Sequence, residues 1–322
     1  MRAFLTGATG FIGSHIARAL RAREDEVVAL VRDPDRAGDL LELGCELEQG
    51  ELADGERLRA GMEGADGVFH VAAVYKVGVP ERERDMLMRV NVEGTANVMD
   101  AAADVGVPRM LYVSTVNVFG NTHGRAVDES YRRELSEGFL SAYDESKYWA
   151  HELALERIAQ GAPIVIAQPG GVYGPGDHSE LGDLIDRIGG GRMPLVPFGE
   201  MGVGLAHVDD IAAGILLAFD AGRIGEPYVL TGELVRMREL CGIVARIAGR
   251  REPVLPLPTW AIRSVAPLAP LLGPPLGFPP NLREAISASD GVTYWASDAK
   301  ARRELGYSSR PLEVGLRETL GC

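Results

Sequence analysis

Lysine is nearly missing from this chain: Lys76, Lys147 and Lys300 stand against thirty arginines in 322 residues. The bias reflects genome composition, but it makes any lysine inside a motif informative. Positive charge is also short overall, with 33 Lys and Arg against 46 Asp and Glu and a net charge of −13. That balance argues against a nucleic-acid partner, because polyanions are held on basic surface. Cysteine is limited to Cys45, Cys241 and Cys322, an odd number, far apart and without metal-ligand spacing. They read as free thiols of a reducing, cytoplasmic setting, not a disulfide framework or a metal site. Strand-like sequence starts at Met1, so no signal peptide is expected. The most apolar late stretch, Pro258 to Pro280, is broken by Arg263 and several prolines, so it is not read as a membrane span.

What is present is ordinary globular composition, 46% apolar and 25% charged, with length enough for one large domain or two smaller ones. Short β-branched runs at Met1–Leu5, Val27–Val31, Glu46–Gln49, Gly67–Val71, Met110–Ser114 and Ile164–Ala167 predict strands. Helical spacing at Phe11–Arg23, Asp54–Met62, Arg84–Val105 and Ala142–Ala159 predicts helices between them. Such alternation implies an α/β fold, a doubly wound parallel sheet of the Rossmann kind, over residues 1–173. From Gly174 the sequence turns rich in glycine and proline and poor in strands, with helices predicted at Leu181–Ile188, Asp209–Ala221, Met237–Ala248 and Asp298–Leu305. Residues 174–322 are therefore expected to form mainly a smaller substrate-binding lobe, with a return to the sheet left open.

Thr6-Gly7-Ala8-Thr9-Gly10-Phe11-Ile12-Gly13 lies between the first strand and the first helix. Gly7 suits a tight turn, Gly10 a close approach by pyrophosphate, and Gly13 close helix–strand packing. The helix start then offers amides and a positive dipole end to phosphates. After the second strand come Arg32 and Asp33. An acid at that tip bonds the adenosine ribose, whereas arginine pairs with a 2′-phosphate. Arg32 comes first, so NADP(H) is favoured, with NAD(H) as the alternative.

Tyr143 and Lys147 are four apart in a predicted helix and so share a face. A phenol with a pKa near ~10 is a poor acid–base at neutral pH until a cation stabilises its phenolate, and Lys147 would supply that cation. Ser114 and Thr115 end the strand before it, where open α/β sheets place their ligands.

Together these residues resemble the extended short-chain dehydrogenase/reductases, the NAD-dependent epimerase/dehydratase family, over nearly the whole length. TGxxGxxG is met at Thr6–Gly13, implying cofactor contacts from Gly7, Thr9, Gly10, Phe11, Ile12 and Gly13. The family's aspartate–leucine adenine contact is weakened to Glu51-Leu52, and the loop after the fourth strand is His70-Val71-Ala72-Ala73. Asn91 opens the NVxGT motif, and Val113–Gly120 matches VSSxxVYG, placing the catalytic hydroxyl at Thr115 beside Ser114. Tyr143 to Lys147 is YxxSK; Pro169, Gly170 and Val172 match the segment over the nicotinamide, and His207-Val208-Asp209-Asp210 the HVDD of the substrate lobe.

Departures narrow what the resemblance implies. The dehydratases' Asp-Glu pair after the catalytic threonine is Val116-Asn117 here. UDP-sugar epimerases place arginine where this chain has Val203, and asparagine where it has Gly171. The Val31–Pro34 stretch and HVAA are similar to the dihydroflavonol-4-reductase-like branch, and residues 112–181 to the hopanoid-associated sugar epimerases. The resemblance implies a reductase or dehydrogenase acting on a ketone or secondary alcohol of a small, fairly apolar substrate. An epimerase that retains its cofactor is the alternative, and a non-catalytic dinucleotide sensor the third reading. Tyr75, His178 and Trp149 are candidate wall residues. Relatives pair through the two long helices, so Val98, Ala101, Ala102, Trp149 and Leu153 suggest a homodimer.

Overall fold

The computed structural model describes residues 1–193, 195–252, 255–257, 263–264 and 281–322. Of the features above, the 258–280 stretch other than Arg263 and Ser264 lies outside the described residues. The strands are β1 (Arg2–Thr6), β2 (Glu26–Val31), β3 (Glu46–Gln49), β4 (Gly67–His70), β5 (Met110–Val113), β6 (Ile164–Pro169) and β7 (Gly171–Tyr173). They continue as β8 (Leu195–Pro197), β9 (Gly202–His207), β10 (Pro227–Leu230), β11 (Glu233–Arg236), β12 (Leu255–Leu257) and β13 (Thr293–Tyr294). The helices begin with α1 (Phe11–Ala22), α2 (Gly38–Glu42), α3 (Gly55–Met62), α4 (Glu81–Met88) and α5 (Gly94–Asp104). After them come α6 (Ala142–Ala159), α7 (Glu180–Gly189), α8 (Val208–Ala221) and α9 (Met237–Ile247), with further helices at Leu282–Ser289, Ala299–Leu305 and Leu312–Leu320.

Seven strands form one parallel sheet in the order β10-β6-β5-β4-β1-β2-β3. Its β-branched strands are apolar on both faces because helices cover both. On one face Leu5, Ala29 and Phe69 meet Ile16 and Leu20 of α1 and Ile211 and Ile215 of α8. On the other, Phe4, Val28 and Val68 meet Leu58 of α3, Val98 of α5 and Ala150 of α6. Strand order reverses between β1 and β4, and the crevice outside their carboxyl ends is where such sheets bind ligands.

The second half of the chain contains more strand than its composition suggested. β9 carries β7, β11 and β13 as a small sheet, and β10 joins the edge of the main one beside β6. These strands are two to six residues long, too short for alternation to stand out among glycines and prolines. Ile185 and Ile188 of α7, Leu240 and Val244 of α9, and Leu316 form the lobe's own core with Tyr173. Among the described residues no helix is long and apolar enough to cross a membrane.

The helix expected at 84–105 begins earlier, at Glu81, and is interrupted by a π turn at Arg89–Glu93. π turns of this kind are frequent at functional sites. The apolar excess assigned to a dimer face is partly a misreading. Val98, Ala101 and Ala102 are buried in the chain's own core against α3. Trp149 is 41% exposed and Leu153 half-buried.

Candidate active site

A cleft of about 1490 Å³ opens between the carboxyl ends of the sheet and the lobe. That exceeds the roughly 300–1,000 Å³ of a single small-molecule site and leaves room for two ligands side by side.

One end is built by the glycine-rich turn. Gly7 has a φ of +78°, and a Cβ there would lie 2.7 Å from the amide nitrogen of Ala72. A Cβ at Gly13 would come within 2.0 Å of the Gly7 carbonyl oxygen, so the turn and α1 can interlock only without side chains. A Cβ at Gly10 would meet only that same carbonyl, at 3.2 Å, and otherwise project into open space. Gly10 caps α1 without a side-chain hydrogen bond, and no acid occupies the first turn. The positive end of a twelve-residue helix therefore faces the cleft beside Thr9, Gly10, Phe11 and Ile12. This cradle fits a dinucleotide pyrophosphate.

Arg32 is exposed at the far end of the same groove, beside Glu51 and Leu52. The Asp33 carboxylate instead accepts the Asp35 amide at 3.2 Å and caps a short turn at Pro34–Arg36. The Asn97 amide donates to the Leu52 carbonyl at 2.9 Å, fixing a wall that sequence reasoning had credited to Glu51 and Leu52 alone.

Beneath the cofactor groove runs a buried chain of polar groups. His70 Nδ1 lies 2.8 Å from Thr6 Oγ1, and its Nε2 lies 2.9 Å from Thr95 Oγ1. Since Thr95 donates to the Asn91 carbonyl and Thr6 accepts the amides of Val71 and Ala72, the consistent assignment is a neutral ring protonated at Nε2. Burial, reinforced by Lys147, lowers the His70 pKa to about 3, so the ring stays neutral. Asn91 does not face the cleft as a cofactor contact would. Its amide donates to the Val74 carbonyl and Ser146 Oγ, and its Oδ1 accepts the Val74 amide. The π turn aims it inward, where it fixes the loop bearing Val71, Ala72 and Ala73. No spacing rule marks this relay; only a histidine inside an apolar strand hinted at it.

Tyr143 is 8% exposed in the first turn of α6, whose N-cap is Ser141. The Thr115 hydroxyl is its hydrogen-bond neighbour, and burial pushes the phenol pKa well above its usual value. The Tyr75 ring stands edge-on to it, 4.7 Å away at 80°. Tyr75 lines the cleft, while His178 and Trp149 do not. Lys147, one helical turn along from Tyr143, has its hydrogen bonds elsewhere. Its Nζ donates to the Tyr112 hydroxyl at 3.2 Å and the Val113 carbonyl at 3.1 Å, and burial lowers its pKa to about 7. Ser114 Oγ bonds His151 Nδ1 at 3.0 Å. Apart from Asn91, every residue read from the sequence as catalytic or cofactor-binding lines this one cleft, Pro169, Gly170 and Val172 included.

Lys147 carries a stability consequence. Folded, it loses its proton near pH 7, but in the unfolded chain it keeps it to about 10.5. Between these values the unfolded state binds more protons, so stability rises with pH; below 7 the full cost of the buried ammonium is felt. Lys147→Met is expected to raise the melting temperature of the ligand-free protein more at pH 6 than at pH 9. A pH-independent change would contradict this.

The family model for the NAD dependent epimerase/dehydratase family matches residues 3–231. The chain belongs to that family. A ketoreductase of Stigmatella aurantiaca, named for 4-hydroxy-2-methyl-3-oxo-4-farnesyl-3,4-dihydroquinoline-1-oxide, is 35% identical over 96% of this chain and 92% of its own. A provisionally named dihydroflavonol 4-reductase of Synechocystis sp. is 33% identical over 98% and 93%. The crystal structure of gox2253 superposes with a TM-score of 0.84 at 34% identity, covering 99% of this chain and 96% of that one. The chain is thus an enzyme of a family whose members include NAD(P)-dependent reductases, dehydrogenases and epimerases.

Proposed function

We propose that this enzyme is an NADP(H)-dependent reductase interconverting a ketone and a secondary alcohol on an apolar substrate. The observation that carries the reading is the buried, protonated Tyr143 beside Thr115 in a cleft with room for two ligands. When bound, the nicotinamide supplies or takes the hydride. Thr115 orients the carbonyl oxygen, and Tyr143 gives the proton to the alkoxide as it forms. Lys147, held by Tyr112 and Val113, lies one helical turn along from Tyr143 and would hold the cofactor's ribose. Val116 and Val203 line the cleft, which weakens the dehydratase and sugar-nucleotide readings. Two relatives are named for ketone or reductase chemistry, one on a farnesyl-bearing heterocycle, and both fit an apolar cleft.

The choice of NADP(H) rests on Arg32, since Asp33 is engaged in its own turn. Arg32→Ala is expected to weaken NADP(H) selectively by roughly 1.5–3 kcal/mol, about ten- to a hundredfold, with NAD(H) little changed. Titrating both cofactors against both proteins checks this, and equal losses or a wild-type preference for NAD(H) would refute it. Ketone-dependent loss of reduced-nicotinamide absorbance tests the reaction itself, because an epimerase shows no net turnover of cofactor.

A further inference from the structure

The reductase reading locates the reacting carbonyl at Tyr143 but leaves the other end of the substrate undefined. α7 forms one wall of the cleft, and the side chains it contributes are Glu180, Leu181, Asp183, Leu184 and Arg187. Their order along the helix is not random. The acids belong to the first turn, where Glu180 acts electrostatically on Tyr75, the neighbour of Tyr143. Leu181 lies between the two acids, Leu184 follows Asp183, and Arg187 ends the stripe. With a rise of 1.5 Å per residue, Arg187 lies about 10 Å beyond Glu180.

A second arginine joins it there. The Arg192 amide donates to the Arg187 carbonyl at 2.8 Å, and Arg192 also lines the cleft. Among the described residues neither guanidinium has a hydrogen-bond or ion-pair partner. Arg133, Arg246 and Arg310, by contrast, pair with carboxylates. Asp183 stands four residues before Arg187, the spacing that favours an ion pair, yet the two do not pair. Asp183 shares that wall with Leu181 and Leu184, and the rest of the cleft is adaptable. Four of the nine methionines, Met86, Met193, Met201 and Met237, line the cleft, and unbranched thioether side chains accommodate varied shapes.

We propose that Arg187 and Arg192 bind the anionic end of an elongated substrate, a carboxylate, sulfate or phosphate, whose apolar body lies along Leu181, Leu184 and the methionines. The inference rests on the reductase reading only for which end of the cleft reacts.

Two dyes of nearly identical apolar body test it: 8-anilinonaphthalene-1-sulfonate, which is anionic, and N-phenyl-1-naphthylamine, which is neutral. Both would be titrated by fluorescence at low salt, with NADP⁺ and NAD⁺ saturating so that the cofactor groove is filled. The sulfonate is expected to bind wild type more tightly than the neutral dye. Arg187→Gln with Arg192→Gln should weaken it about tenfold or more, in keeping with loss of charge-assisted contacts, and leave the neutral dye unchanged. Both side chains are exposed, and an unchanged melting temperature would confirm folding. Parallel changes for the two dyes, no change for the sulfonate, or no wild-type preference for it would overturn the proposal. Dye binding needs no turnover, so Tyr143→Phe should bind both dyes normally. Absence of ketone-dependent cofactor oxidation would count against the reductase reading and leave the dye result standing.

Discussion

Tyr143→Phe is expected to lower turnover on the order of a thousandfold or more while leaving cofactor affinity nearly unchanged. The substitution keeps the ring and its edge-on contact with Tyr75 at 4.7 Å and removes only the hydroxyl. Burial holds that hydroxyl protonated across the neutral pH range, so the group keeps a proton for an acceptor as basic as an alkoxide. Thr115 is not expected to replace it, because an aliphatic hydroxyl is a much weaker acid than a phenol. Steady-state assays and a fluorescence titration of the reduced cofactor check both halves of the expectation. Retention of roughly a tenth of the activity would remove Tyr143 from the acid–base role.

The second large effect falls at the opposite end of the cleft. Gly13→Ala places a methyl 2.0 Å from the Gly7 carbonyl oxygen, 2.7 Å from the Gly7 carbonyl carbon and 3.1 Å from the Ala8 Cα. All three are backbone atoms, so no rotamer change relieves the clash and the start of α1 must shift. A displacement near 1 Å at a positioning element costs about a hundredfold in rate; turnover is expected to fall by that order and cofactor affinity with it, with a lower melting temperature. Gly10→Ala separates binding from folding, since its methyl meets only the Gly7 carbonyl at 3.2 Å and otherwise enters the groove. It should melt like wild type and still bind cofactor more weakly. A Gly13→Ala protein with near-normal affinity would contradict the interlocked geometry.

These two positions were visible in the sequence because each belongs to a local pattern. Glycines spaced across a strand-to-helix turn, and Tyr143 four residues before Lys147, are signals that backbone geometry alone makes readable. The parallel sheet was visible for the same reason, as β-branched runs alternate with helical ones. What escaped depends on residues remote in sequence. The partner of Lys147 is Tyr112, 35 residues away, and Asn91 serves Val74 and Ser146 rather than the cleft. The Thr6–His70–Thr95 relay draws on three elements, and nothing in any one of them announces the other two. Asn97 and the cleft methionines belong to the same class, since each looks like ordinary helix or core until the fold places it at the wall.

The return of β10 to the main sheet also governs how the molecule can be made. β6 is buried along its whole length, and the strand that covers its outer edge is not complete until Leu230. In sequence, that edge lacks its partner until some sixty further residues, 170–230, have been added. Such an edge is a template for pairing with other chains. A fragment ending at residue 173 would keep the glycine turn, Tyr143 and Lys147 yet retain that open edge permanently. The C-terminal half thus supplies the strand that closes the sheet edge of the N-terminal one.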